Sequence, residues 1–216
     1  MPRTLLLTRA RAQAEGFAEL VQQNTDFQCH IAPMQEMRDL LAEIDLSGVD
    51  ALVFTSVNGV KSFARRWDVR DIPAYCVGPA TANAAAALGM DAQGAKGNSQ
   101  SLAALVNNAN LQNPLHIHGL HKAAELPINA ASIAIYEQVA LPLNVKTQNI
   151  LANGIDAVAL FSPRSAQLLA DVWQDNWPAP VFYCISKATA EPVKNIGNIH
   201  VSAQPNAKEM LALLID

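Results

Sequence analysis

Short apolar runs recur along the chain, separated by longer stretches in which apolar positions repeat at helical spacing. Residues 5–8, 51–54, 74–77, 115–117, 133–136, 157–161 and 181–185 read as strands. Between them Ala14, Phe17, Ala18 and Val21 share one helical face, as do Val57, Val60, Ala64 and Trp67, and again Leu168, Leu169, Val172 and Trp173. Strands that alternate with helices predict βαβ winding, parallel sheets and an α/β architecture of two three-layer lobes. Gly89 and Gly197 follow helical stretches at places where a left-handed C-terminal residue is wanted.

The pattern is written twice. "YCVGPATA" at 75–82 returns as "YCISKATA" at 183–190, an offset of 108 in a chain of 216. Leu88-Gly89-Met90 faces Ile196-Gly197-Asn198 at the same offset, and "GVDALVFTSVNGV" (48–60) faces "GIDAVALFSPRSA" (154–166) at 106. "CHIAP" (29–33) aligns with "QVALP" (138–142) at 109, and "LLLTR" (5–9) with "LHIHG" (115–119) at 110. A duplication of this kind suggests a division near 108. The Pro-containing connections at 32–37 and 137–144 are instead the places where the chain is expected to cross between lobes.

Composition narrows the function. Half the residues are hydrophobic and 16% are charged, the balance of an ordinary globular chain. A formal net charge of −4 gives no electrostatic case for nucleic acid. No stretch approaches a membrane span, and "MPRTLLLTRA" is too short in apolar residues for a secretory segment, so no membrane partner is expected. Cys29, Cys76 and Cys184 sit in apolar runs without metal spacing and read as strand thiols of a reducing cytoplasm.

In four places a strand runs into Ser, Thr or Gly and then a helix: "FTSVNGV", "CVGPATA", "FSPRSA" and "CISKATA". Helix N-termini at the carboxyl ends of parallel strands present free N–H groups and a positive dipole end, which suits anions. Ser56 and Ser162 are expected helix caps, with Pro163 in the first turn, and Gly78 permits close backbone approach to a ligand. Capping alone accounts for any one such motif; four together make an anion site. Arg9, Arg11, Arg164 and Lys187 follow strands and could pair with carboxylates, Arg9 being preferred. His116, His118 and His121 suggest a metal, but no acidic or Cys partner lies at ligand spacing. Gly119, which ends that strand, is another place for backbone contact. Tyr136 ends "ASIAIY", and a phenol, protonated at neutral pH, can donate to a leaving oxygen.

"LLLTRA", "VDALVFTSVNGV", "CVGPATA" with "LGM", "HGLHKAAELP" leading to "IAIYEQV", then "FSPRSA" and "ATA", taken in order, resemble the uroporphyrinogen-III synthase family over essentially the whole chain. The resemblance implies two flavodoxin-like lobes with parallel sheets, joined by a two-stranded connector, with the active-site cleft between them and no cofactor. It assigns 1–34 plus 143–216 to one lobe and 37–139 to the other, with crossings at 35–36 and 140–142, and so replaces the cut at 108. It implies cyclisation of hydroxymethylbilane, a linear tetrapyrrole, to uroporphyrinogen III, with loss of water and inversion of ring D, in a monomer. Tyr136 matches the family's functional Tyr. Thr55, Ser56, Gly78, Thr81, Gly119, Ser162 and Thr189 match its cleft positions; Asn58, Ser186, Arg9 and Arg164 are counted with them as substrate contacts. His118 and the Ile185-Ser186-Lys187 turn depart from the family's usual residues, which bears on the contacts at Gly119 and Ser186. The unstable substrate leaves room for transient contact with the enzyme that makes it. The alternative is a non-enzymatic two-lobe binding protein for a small polyanionic ligand, which would need no proton donor.

Overall fold

The computed structural model describes residues 2–121 and 125–215. Two compact units emerge, Met1–Glu36 with Val139–Asp216 and Met37–Gln138.

The first unit holds a five-stranded sheet of β1 (Thr4–Leu7), β2 (Gln28–Ile31), β9 (Ala157–Leu160), β10 (Val181–Cys184) and β11 (Asn198–Val201). The order is β11-β10-β9-β1-β2, and every pairing is parallel. Its helices are α1 (Arg11–Asn24), α5 (Val145–Ala152), α6 (Pro163–Val172), α7 (Lys187–Ala190) and α8 (Ala207–Ile215). Leu5, Leu6 and Leu7 have no exposed surface, because helices cover both faces of this central strand. Leu6 packs with Leu151, Leu169 and Phe182 on one face; Leu5 and Leu7 pack with Phe17, Val21 and Met210 on the other.

The second unit holds β4 (Ala51–Phe54), β5 (Ala74–Cys76), β6 (Ala92–Gly94), β7 (Pro114–Gly119) and β8 (Ala131–Ala140), with β3 (Gln35–Asp39) at the edge, in the order β3-β8-β7-β4-β5-β6. Its helices are α2 (Val57–Ala64), α3 (Pro79–Ala86) and α4 (Ser99–Asn108). The central strands again pair in parallel. β3 runs antiparallel to β8, since Leu40 N–H donates to Ile135 O while Leu141 N–H donates to Met34 O. The chain passes between units inside these two paired strands.

The sequence repeat reappears as topology. Replacing β2, β1, β9, β10 and β11 by their repeat partners β8, β7, β4, β5 and β6 turns the first sheet order into the core of the second. The first sheet takes two strands from the first copy of the repeat and three from the second, and the second sheet takes four from the first copy and two from the second, so a cut at 108 would divide both sheets.

Local details also differ from the sequence pattern. Gly89 adopts φ +85° as a helix-ending residue, but Gly197 is not left-handed. A Cβ there would fall 2.2 Å from Pro180 O, so close backbone approach explains that glycine. The buried face of α2 centres on Gly59, Val60 and Phe63, with Phe63 against Phe54 and Trp67, rather than on Val57 and Ala64. Val172 of α6 is exposed, and Ala166 and Leu169 carry the burial.

Candidate active site

In the second unit the chemistry gathers where β4 and β7 end, beside the middle of β8, which runs on to Ala140, so that Tyr136 lies within its strand rather than ending it. Ser56 caps α2, its Oγ accepting from Gly59 N–H at 3.0 Å, and the same oxygen lies 2.8 Å from the Tyr136 hydroxyl. A register shift brings Tyr136 to that place. His118 pairs with Ala134 but Gly119 pairs with Tyr136, a one-residue bulge that re-aims the side chain. The Tyr136 ring fills the space where a residue-119 side chain would stand; a Cβ there would be 2.7 Å from Cζ. Gly119 therefore seats the phenol. Thr55 Oγ1 is 3.4 Å from His116 Nε2, and Asn58 is half-buried in the first turn of α2. His116 and His118 are buried with their rings 4.9 Å apart. Among the described residues no three His, Cys, Asp or Glu side chains gather for a metal ion.

Beside them Gly78 caps α3, with Pro79 in its first turn. Its Cβ position is taken up by Gly97, whose Cα is 3.0 Å away and whose N–H donates to Val77 O. Packing of the following loop thus accounts for this glycine. Thr81 is 4% exposed and lies under the helix start.

In the first unit Ser162 caps α6 through Ser165 N–H, and Ser186 caps α7 through Thr189 N–H. Thr189 has no exposed surface and places Oγ1 3.0 Å from Ser186 Oγ, so it supports the cap from beneath. Arg164 is exposed in the first turn of α6. Arg9 follows β1, and its guanidinium stands 4.3 Å over the Phe161 ring at the end of β9. Nη2 donates to Gln13 Oε1, whereas Nε is buried without an acceptor, and burial pulls the Arg9 pKa down from its ordinary value. A cation held in this way is ready for an anion.

The family model described as Uroporphyrinogen-III synthase HemD matches residues 15–212. The chain belongs to this family. Among solved structures, the uroporphyrinogen-III synthetase of Helicobacter pylori is similar at 16% identity with a TM-score of 0.67, over 98% of this chain and 97% of that one. A mutant uroporphyrinogen III synthase of Thermus thermophilus is similar at 17% identity with a TM-score of 0.55, over 97% and 96%. At these identities the likeness shows the fold. No curated protein sequence matches the chain significantly.

As a uroporphyrinogen-III synthase the chain is a cyclising lyase of tetrapyrrole biosynthesis, closing hydroxymethylbilane with loss of water and inversion of ring D. This decides against the binding-protein alternative. No helix among the described residues is long and apolar enough to cross a membrane. Sequence reading missed Phe161 beneath Arg9 and Gln35, whose Nε2 donates to Ser165 Oγ while its Oε1 is buried unpaired. The repeat offered a signal for the first, since Phe161 aligns with Thr55 at the 106-residue offset.

Proposed function

We propose that Tyr136 supplies the proton with which the substrate's terminal hydroxyl leaves, while strand-end N–H groups, capping hydroxyls and Arg9 hold the carboxylates. The C–O bond of the hydroxymethyl group breaks, its electron pair stays on oxygen, and the phenol proton completes water. The pyrrole nitrogen pair fills the vacancy to give an azafulvenium. The substituted carbon of ring D attacks it, the spiro intermediate fragments, and ring D recloses at its other position. That ring carbon then loses a proton, which restores the phenol.

The observation that supports this reading is the Tyr136 hydroxyl, seated on Gly119 and bonded to a helix-capping serine. The eight carboxylates of the substrate meet a protein of net charge −4, so local donors must hold them. Thr55, Asn58, Gly78, Gly119, Ser162, Arg164 and Ser186 are the groups assigned to them, with Thr81 and Thr189 acting through the helix starts above them. The same reading makes the enzyme a cytoplasmic monomer; three unpaired thiols, raised by burial to about 11 for Cys29 and Cys76 and about 12 for Cys184, suit a reducing compartment.

The test supplies freshly generated hydroxymethylbilane and separates the oxidised type I and type III isomers. Wild-type protein yields type III, and Tyr136→Phe lowers kcat by about 100-fold, the scale of general acid catalysis. A Phe variant within twofold of wild type would remove Tyr136 from the role.

A further inference from the structure

We propose that Ser56 is a positioning residue that turns the Tyr136 proton toward the substrate, not a ligand for a substrate carboxylate. The inference rests on Tyr136 being the donor. Ser56 Oγ carries one proton and two lone pairs. One lone pair accepts Gly59 N–H at 3.0 Å, which leaves the proton and one lone pair for the Tyr136 hydroxyl at 2.8 Å. A single proton lies in that link. If Tyr136 donated it, the phenol proton would be spent on Ser56; if Ser56 donates it, the phenol proton is free for the leaving oxygen.

The surroundings favour donation by Ser56. Gly59 N–H and the positive end of α2 both draw density from Ser56 Oγ, making it a better donor and a poorer acceptor. When Tyr136 gives up its proton, the same Ser56 O–H points at the phenolate oxygen and stabilises it, and Ser56 itself loses nothing. The bulge at Ile135 and the absence of a side chain at Gly119 hold the ring in register for this bond.

The repeat supplies an internal comparison. Ser162 has the same cap, to Ser165 N–H at 3.1 Å, but its hydroxyl donates to Ser165 Oγ at 3.0 Å. Phe27, aligned with Tyr136 by the sequence offset, precedes β2 and lies under Arg3 at the opposite end of its sheet, and among the described residues no tyrosine hydroxyl bonds to Ser162. The cap is common to both copies, and the serine–phenol pair belongs to one.

The test is a double-mutant cycle on the full chain, with melting curves to confirm folding. Ser56→Gly removes the hydroxyl while keeping a residue that helices accept as a cap, and Ser56→Thr keeps both hydroxyl and cap. Ser56→Gly is expected to lower kcat about tenfold with KM within about twofold, the effect of one hydrogen bond that strengthens in the transition state. Ser56→Thr restores most of the rate. Combined with Tyr136→Phe, Ser56→Gly adds less than about a further twofold, because the two act as a unit. A raised KM with unchanged kcat would make Ser56 a carboxylate ligand and overturn the proposal. So would an equal slowing in the Tyr and Phe backgrounds. Failure of the Tyr136 assignment itself is read separately, from Tyr136→Phe alone.

Discussion

Gly119 and Tyr136 stand opposite each other across β7 and β8, so close that a methyl group on Gly119 would overlap the phenol ring at 2.7–2.8 Å. The ring is 8% exposed and cannot swing freely, and its hydroxyl is tied to Ser56. Gly119→Ala must therefore push the ring off Ser56. The expected result is a fall in kcat of about 10- to 100-fold, as for misplacement of a catalytic group by about an ångström. Steady-state kinetics with isomer analysis checks it; a Gly119→Ala enzyme with wild-type kcat would show that the ring's seat is unimportant.

Arg9 makes a second prediction. Its guanidinium is stacked on Phe161, is partly desolvated, and has no carboxylate at ion-pair distance among the described residues. A charge-assisted bond to a substrate carboxylate fits that state, and losing it should raise KM by about 10- to 100-fold while kcat changes by less than about threefold. Arg9→Gln should show the full effect. Arg9→Lys should recover little of it, because an ammonium neither stacks as a plane nor offers a fork of donors. Unchanged KM in both variants would leave Arg9 a packing residue.

The difference between what was readable and what was not follows from where the information lies. β1 and β4 were legible because a strand buried on both faces is continuously apolar, as Leu5 to Leu7 and Ala51 to Phe54 are. Ser162-Pro163 announced a helix start through local chemistry alone. β3, "QEMRD", gave no signal, because an edge strand paired on one side needs no apolar run, and β6 is only three residues long. The candidate residues can be named from motifs, but their partnerships cannot. Ser56 meets Tyr136 across 80 residues of chain, and only the bulge between His118 and Gly119 brings them into line. The cause of Gly197 is invisible locally, because the atom it must clear, Pro180 O, belongs to the residue just before the neighbouring strand β10.

Two glycines separate backbone cost from packing cost. Gly16 lies in the exposed middle of α1 with nothing within 4 Å of its Cβ position. Gly16→Ala should stabilise the protein by about 0.5–1 kcal/mol, by reducing the freedom of the unfolded chain and favouring the helix. At Gly197 a Cβ would meet backbone oxygen at 2.2 Å, which no rotamer change relieves. Gly197→Ala should destabilise by about 2 kcal/mol or more. Urea denaturation of the two variants should therefore move the midpoint in opposite directions, and a shift of the same sign would contradict the packing.

His30 couples stability to pH. Its Nε2 is 2.9 Å from Thr147 Oγ1, and Thr147, fully buried, gives its own proton to Asn144 Oδ1 at 3.0 Å. Thr147 must then accept from His30, which places the imidazole proton on Nε2 and leaves Nδ1 to take a second. Burial, aided by the charge of Lys146, holds the His30 pKa below its ordinary value. An unfolded histidine binds a proton near pH 6.5 while the native one resists, so below that pH the unfolded chain carries more protons. Stability should decline as pH falls from about 6.5 through the lower native pKa, level off beneath that pKa, and not change through this group as pH rises above about 6.5. His30→Gln keeps an N–H for Thr147 but cannot titrate. Urea melts at about pH 7.5 and about pH 5.5 should show wild type losing more stability than His30→Gln. Equal losses would mean that the acid sensitivity arises elsewhere.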